Sequence, residues 1–380
     1  MTETPIQTAA TTFEHNMLRE IHEQPAAIER TLDHYVDGST FREATFGSSA
    51  DIFRGHKDIV IAASGSSRHA GLAAEIMLED AAGLSVDVEY ASEYICRTTN
   101  TKRDPAVLVV SQSGETGDTL AALREAILRD HPTLAVTNVQ NSSMMQEASV
   151  ALPTLAGIER AIPATKSFTT QLVVLRLLSL YAAQSRDVLR SEELAKQLAG
   201  MAVLPTLIGR QLDAWQQRLS DIADIYYDAK TFLFLGRGIH YAIAREGALK
   251  LKESSYIHAE GYPTGELKHG PNALVSDEVP LVIIATVDRG DTESVLRYEK
   301  TISLITDMRA QGAKIIALSN TGDETVRALA SHVIEVDETD EYLLPICEVV
   351  PLQLFAYFMA LRNGVDVDRP RNLVKSVVRE

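Results

Sequence analysis

Cysteine is scarce: the chain has two in 380 residues, Cys96 and Cys347, far apart and outside any Cys-x-x-Cys spacing. That excludes a disulfide framework and a thiolate metal site, and leaves two isolated thiols best read as packing groups. Positive charge is also short, with 36 Lys and Arg against 52 Asp and Glu and a formal net charge of -16. Such a chain has no broad basic face from which counterions are released, so neither nucleic acid nor an anionic membrane is an expected partner. No apolar run approaches the roughly 18 residues of a membrane span, and the start, Met1 to Thr12, lacks the basic-then-apolar order of a leader. A cytosolic location is expected. No cysteine neighbours His258 or His269, and these two do not form a helix-face ligand pair, so no metal and no cofactor is expected.

With 45% hydrophobic residues, the length suffices for two domains, each with its own core. Phe13 to Tyr35 reads as one or two helices, with Pro25 at a helix start. Asp58 to Ala63 is then a short apolar run that ends in Ser64-Gly65-Ser66-Ser67 and passes into a helical stretch from His69 to Ala82. The same unit returns at Thr231 to Leu235, followed by Gly236-Arg237-Gly238 and a helix through Ala242 to Ser255. Val107 to Val110 is matched by Leu281 to Ile284, each followed by Gly-Asp-Thr, and Leu134 to Asn138 is matched by Ile315 to Asn320. Val150 to Leu152 parallels His332 to Ile334, and each half closes with a long apolar helix, Phe168 to Ala183 and Cys347 to Leu361. Continuous Val/Ile/Leu runs alternating with helices predict an α/β chain of two tandem doubly wound parallel sheets related by internal duplication. The expected division is a helical segment at 1–45, a first domain at 46–195, a helical linker at 196–225, a second domain at 226–365 and a tail at 366–380. Trp215, the one tryptophan, falls in the linker and reads as packing.

Ligands of such sheets sit beyond the carboxyl ends of the strands, at helix N-termini whose free N-H groups attract anions. The first half has two loops of this kind, Ser64-Gly65-Ser66-Ser67 and Ser111-Gln112-Ser113-Gly114-Glu115-Thr116. Their counterparts, Gly236-Arg237-Gly238 and Thr286-Val287-Asp288-Arg289, have lost the serines. One phosphate site per chain, in the first half, is one reading; plain helix capping by the same hydroxyls is the other.

The second half has the ionisable groups. Glu246, Lys250 and Glu253 stand at i, i+4 and i+7 and share one helix face. On spacing alone that is a solvated stripe, but Gly247-Ala248-Leu249 and Leu251 beside it make the helix look buried, where a carboxylate is a candidate proton-shuttling base. Gly261 to Pro271 reads as a loop punctuated by glycine and proline. Within it, His269 is either solvated or an acid/base near neutral pH.

At these residues the sequence resembles the sugar-isomerase (SIS) domain family, in the form of the isomerase half of glucosamine-6-phosphate synthases. The likeness runs from Met17 to the carboxyl terminus. It is carried by Ser111 to Thr119, Thr165-Lys166-Ser167-Phe168-Thr169-Thr170-Gln171, Glu246 to His258, Gly265 to Pro271 and Arg369 to Val377. The resemblance implies phosphate and sugar binding by Ser66, Ser67, Ser111, Gln112, Ser113 and Thr116, with Ile162 and Ala164 beside them. It implies that Glu253 moves a proton between C1 and C2, and that His269 opens the sugar ring from the neighbouring subunit of a homodimer. It also implies that Lys375 forms a Schiff base with the ketose, while Glu246 and Lys250 line the site.

Two departures stand out. Ala164 replaces the serine common before Thr-Lys in the family. The synthases also have an amino-terminal glutaminase domain with a nucleophilic cysteine; here about 45 residues precede the first SIS domain, less than ordinary domain size, and no cysteine comes before Cys96. Without channelled ammonia the expected reaction is deamination of glucosamine 6-phosphate to fructose 6-phosphate and ammonia. An ammonia-dependent synthase or isomerase, a fructosamine-phosphate deglycase and a non-catalytic sugar-phosphate sensor are the alternatives. A sensor would call for a basic DNA-binding segment, for which the acidic chain has little room.

Overall fold

The computed structural model describes residues 13–96 and 103–378; the polar start at 1–12 lies outside them. Helices α1 (Asn16–His22) and α2 (Gln24–Tyr35), with Pro25 in the first turn of α2, lead into the first half. That half has strands β1 (Asp58–Ala63), β2 (Ser85–Tyr90), β3 (Ala106–Ser111), β4 (Thr133–Thr137) and β5 (Val150–Pro153). Its main helices are α3 (Gly65–Ala82), α4 (Gly117–Leu128) and α5 (Lys166–Ser185). After α6 (Leu204–Tyr226) the second half brings β6 (Thr231–Gly236), α7 (His240–Ser255), β7 (His258–Pro263) and β8 (Leu281–Ala285). It ends with α8 (Thr292–Ala310), β9 (Ile315–Asn320), β10 (His332–Val336) and α9 (Leu344–Arg362).

Every strand pair within the two five-stranded sheets is parallel, and the orders are 2-1-3-4-5 and 7-6-8-9-10, the same winding used twice. β3 is buried at every residue, as a central strand covered on both faces must be. The edge strand β2 alternates exposed and covered positions and left no continuous apolar run to read. Its counterpart β7 corrects the expectation of a loop from Gly261. Residues 258–263 pair in register with β6, from Thr231 opposite His258 to Gly236 opposite Pro263, and a short 3-10 helix, Thr264–His269, follows. Glycine and proline are tolerated there because the strand lies at an edge.

One continuous apolar core runs from Met17 to Val367 and takes residues from the inner faces of both sheets, so the halves share it rather than each closing its own. Smaller clusters cover the outer faces, around Val107 and Leu123 in the first half and Leu281 and Ile305 in the second. Trp215 packs in the shared core and donates its indole N-H to the Glu335 carbonyl at 2.7 Å. Helix α9 is long and apolar enough to cross a membrane by length and composition, with a mean hydropathy of 1.7, but 94% of that window is buried. Glu348 and Gln353 fall within this run, and both are completely buried on the helix.

Candidate active site

β1 ends at Ala63 and α3 opens immediately, through Gly65 at φ +54°. β3 ends at Ser111, and its loop turns through Gly114 at φ +68° before α4 starts at Gly117. A Cβ on Gly114 would lie 2.1 Å from the Ser142 hydroxyl, so only glycine fits this turn. The two helix N-termini converge, and both serine loops face one cavity of about 160 Å³. Neither helix has a side-chain cap at its N-terminus; within the loop Ser111 Oγ accepts from Gly114 N and Ser113 Oγ from Glu115 N, both at 3.1 Å. Glu115 turns away to accept from Ser143 N and Oγ at 2.6 and 2.9 Å.

The cavity gathers most of the residues singled out in the sequence. Ser66, Ser67, Ser111, Gln112, Ser113 and Thr116 form one wall, with Ile162 and Ala164 beside them. Lys250, Glu253 and Lys375 also line the cavity. Lys250 Nζ is 2.5 Å from Glu253 Oε2 and 3.5 Å from Glu246 Oε1. Burial alone would lower the lysine's pKa, but the Glu253 and Glu246 carboxylates reverse this and hold it above the ordinary value, so the ammonium keeps its charge. Glu246 does not line the cavity; it is completely buried behind Lys250. His269 does not line it either, and is exposed at the end of the 3-10 helix.

The tail folds over the loop after β3. Val377 carbonyl accepts from Gly117 N at 2.9 Å and Ser376 Oγ lies 3.0 Å from Ser113 Oγ. Farther back, Asp368 carboxylate accepts from Asn16 N and Met17 N, and Tyr256 hydroxyl accepts from Arg371 N. Lys375 thereby enters the cavity, where its Nζ donates to Glu159 Oε2 at 2.5 Å and to the Ala161 carbonyl at 2.7 Å.

Glu159 was not among the expected site residues. Its Oε1 accepts from Thr165 N and Ser167 N, and its Oε2 from Ser167 Oγ as well as Lys375. Burial would raise its carboxyl pKa, but the Lys375 ammonium and these donors hold it below the usual carboxylate range. The Thr165-Lys166-Ser167 motif is thus a cradle for this carboxylate, and Gln171 at its end donates to Ser67 Oγ at 3.0 Å. A lone glutamate in a loop, 216 residues from its lysine, leaves no local signal.

The second half carries a buried charge network at the start of α7. His240, at the start of α7, lies 2.8 Å from Glu348 Oε1 and 3.4 Å from Glu341 Oε1. Glu341 also accepts from Ser294 Oγ at 2.5 Å and Arg297 Nε at 2.8 Å. Against its burial, Glu348 and Glu341 push His240 up to about 10, and Glu341, despite burial, is held down to about 2 chiefly by His240. Among the described residues no cluster of three or more His, Cys, Asp or Glu is placed to hold a metal ion.

Two parallel sheets of one winding, with a serine-lined cavity at the carboxyl ends of the first, make a duplicated α/β fold with a candidate active site in its first half. The SIS domain family model matches residues 52–181 and 225–362, and the chain belongs to that family. It is 42% identical over 368 residues to the glutamine–fructose-6-phosphate aminotransferase (isomerizing) of Gloeobacter violaceus, covering 97% of this chain but 59% of that protein. The chain therefore spans under two thirds of the curated relatives it matches. Among solved structures, the C-terminal domain of glucosamine-fructose-6-phosphate aminotransferase from Francisella tularensis superposes with a TM-score of 0.88 at 35% identity, covering 95% of this chain and all of that one. A glucosamine-6-phosphate deaminase from Thermotoga maritima shares the fold, at TM-score 0.72 and 21% identity, over 95% of this chain and 99% of the other.

Proposed function

We propose that the chain converts glucosamine 6-phosphate to fructose 6-phosphate and ammonia. The observation that carries this reading is that the Lys250–Glu253 pair and the Lys375 amine open onto the same small cavity as the serine loops. In this reading Ser66, Ser67, Ser111, Gln112, Ser113 and Thr116, with the dipoles of α3 and α4, hold the phosphate and set the reacting carbons against Lys250, Glu253 and Lys375. His269 of a neighbouring subunit opens the ring; its exposure on its own protomer supports a role outside its own cavity. Glu253 takes the C2 proton and returns it at C1, while Lys250 stabilises charge at O1. The product is a ketimine at C2. The Lys375 ammonium gives a proton to the ketimine nitrogen, the amine so formed adds at C2, a further proton passes to the substrate nitrogen, and ammonia leaves; water then hydrolyses the protonated lysyl ketimine to the ketose and regenerates the Lys375 ammonium.

The same site run backwards makes the amino sugar from fructose 6-phosphate and ammonia. That second reading is favoured by the identity to the aminotransferase relatives. Of the two cysteines, Cys347 is buried in α9 and Cys96 is exposed away from the cavity lining, so no thiol at the cavity can release ammonia from an amide. Incubating the purified chain with glucosamine 6-phosphate and assaying ammonia tests the proposal: release no greater than from Glu253→Gln refutes it. Fructose 6-phosphate with an ammonium salt, assayed for the amino sugar, tests the reverse direction.

A further inference from the structure

We propose that His69, on the phosphate-side helix of the first half, is a positioning residue that keeps Lys250 on Glu253 by occupying the competing carboxylate of Glu246. The inference rests on the reading of Glu253 as the proton-transferring base.

His69 sits on α3, two residues past Ser67, and is 7% exposed. Its Nδ1–H donates to Glu246 Oε2 at 2.8 Å, across the seam between the two halves. Glu246 is completely buried, its Oε1 has no hydrogen-bond partner, and among the described residues the His69 bond is the one hydrogen bond it receives. A buried carboxylate so poorly supplied attracts the nearest cation. That cation is Lys250, which stands between two carboxylates on its own helix and nonetheless lies 1.0 Å closer to Glu253, at 2.5 against 3.5 Å. The geometry assigns the asymmetry to His69, which meets part of the demand of Glu246 and leaves the ammonium free to lean into the cavity. The other charges facing the pair, Glu159 and Lys375 across the cavity, are held by each other.

Helix α3 therefore does two things at once. Its first turn brings Ser66 and Ser67 to the cavity, and its second turn ties the catalytic-side helix α7 through one hydrogen bond. The distance between the anchor of the substrate and the base is set by a single rigid element.

A histidine that only fills space would be replaced by leucine without consequence for chemistry. Asparagine, in contrast, puts an amide N-H close to the position of Nδ1. Turnover of glucosamine 6-phosphate is measured for wild type, His69→Leu and His69→Asn, each first checked for an unchanged melting temperature and circular dichroism. Because a misplacement of about 1 Å in a reacting pair costs on the order of 100-fold, His69→Leu is expected to lower kcat by ~30- to 100-fold with KM within ~3-fold. His69→Asn is expected to recover most of kcat. Should His69→Leu fail to fold, His69→Gln takes its place, since its amide N lies near Nε2 rather than Nδ1. Wild-type kcat in His69→Leu, or equal losses in the Leu and Asn variants, overturns the proposal. A crystal structure of His69→Leu, which needs no turnover, gives a separate readout. Lys250 Nζ is expected to leave Glu253 for Glu246; an unmoved Lys250 overturns the positioning role whatever the reaction is. Absence of turnover in the wild type, by contrast, sinks the functional reading and not this one.

Discussion

Replacing Glu159 by glutamine isolates what the buried carboxylate does for Lys375. The shape is kept, and an amide oxygen in the place of Oε1 still accepts from Thr165 N and Ser167 N, now at 3.0 and 3.1 Å. Ser167 Oγ can turn and accept from the new amide N-H. The one contact that glutamine cannot reproduce is the 2.5 Å pair with the Lys375 ammonium, because an amide N-H repels it. A hydrogen bond between charged groups contributes about 1.5–3 kcal/mol, and the Lys375 ammonium is not stranded when it breaks, since its side chain is 26% exposed and can reach water. The loss of stability should therefore fall near the lower bound, ~1.5 kcal/mol, read by urea unfolding. Activity should fall much further, because the tail loses its aim: kcat for ammonia release is expected to drop on the order of 100-fold. Borohydride trapping with fructose 6-phosphate, read by mass spectrometry at Lys375, should drop in parallel. The double variant Glu159→Gln/Lys375→Gln should be no worse than Lys375→Gln alone. Wild-type trapping and turnover in Glu159→Gln, or additive losses in the double variant, would refute the reasoning.

Other expectations are direct. Gly114→Ala drives a Cβ into Ser142 at a positive φ, so the phosphate-side loop must open and KM should rise by more than ~10-fold while the global fold is retained. Glu341→Ala leaves His240 with Glu348 alone and removes the Arg297 and Ser294 bonds, with an expected cost of about 1.5–3 kcal/mol in urea unfolding; stability within ~0.5 kcal/mol of wild type would remove the network's structural role. The same network sets a pH dependence of stability. His240, raised from 6.5 to about 10, contributes fully below pH 6.5 and loses its contribution as pH rises toward 10. Glu341, lowered from 4.5 to about 2, contributes above pH 4.5 and loses its contribution as pH falls toward 2. Between pH 7 and 9, wild type should therefore lose stability more steeply than Glu341→Ala, by at most ~1.4 kcal/mol per pH unit.

Much was legible in the sequence because it is written locally. Apolar runs of β-branched and aliphatic residues, interrupted by glycine and serine at fixed offsets, determined the strands β1, β3 and β4, their counterparts β6, β8 and β9, and the duplication that relates them. Because ligands gather at the carboxyl ends of such strands, the serine loops were legible as a candidate site for the same reason. The edge strands β2 and β7 were not, since a half-exposed strand has no continuous apolar signal and β7 has glycine and proline in it. Tertiary structure alone decided which distant groups meet. Only the folded chain shows that the tail returns across the loop after β3, that Glu159 takes hold of Lys375, that His69 reaches Glu246 across the seam, and that Glu341 gathers His240, Ser294 and Arg297. Each of these is a pairing of charges or hydrogen bonds whose partners lie more than 40 residues apart, at positions where burial, not sequence pattern, makes the pairing necessary.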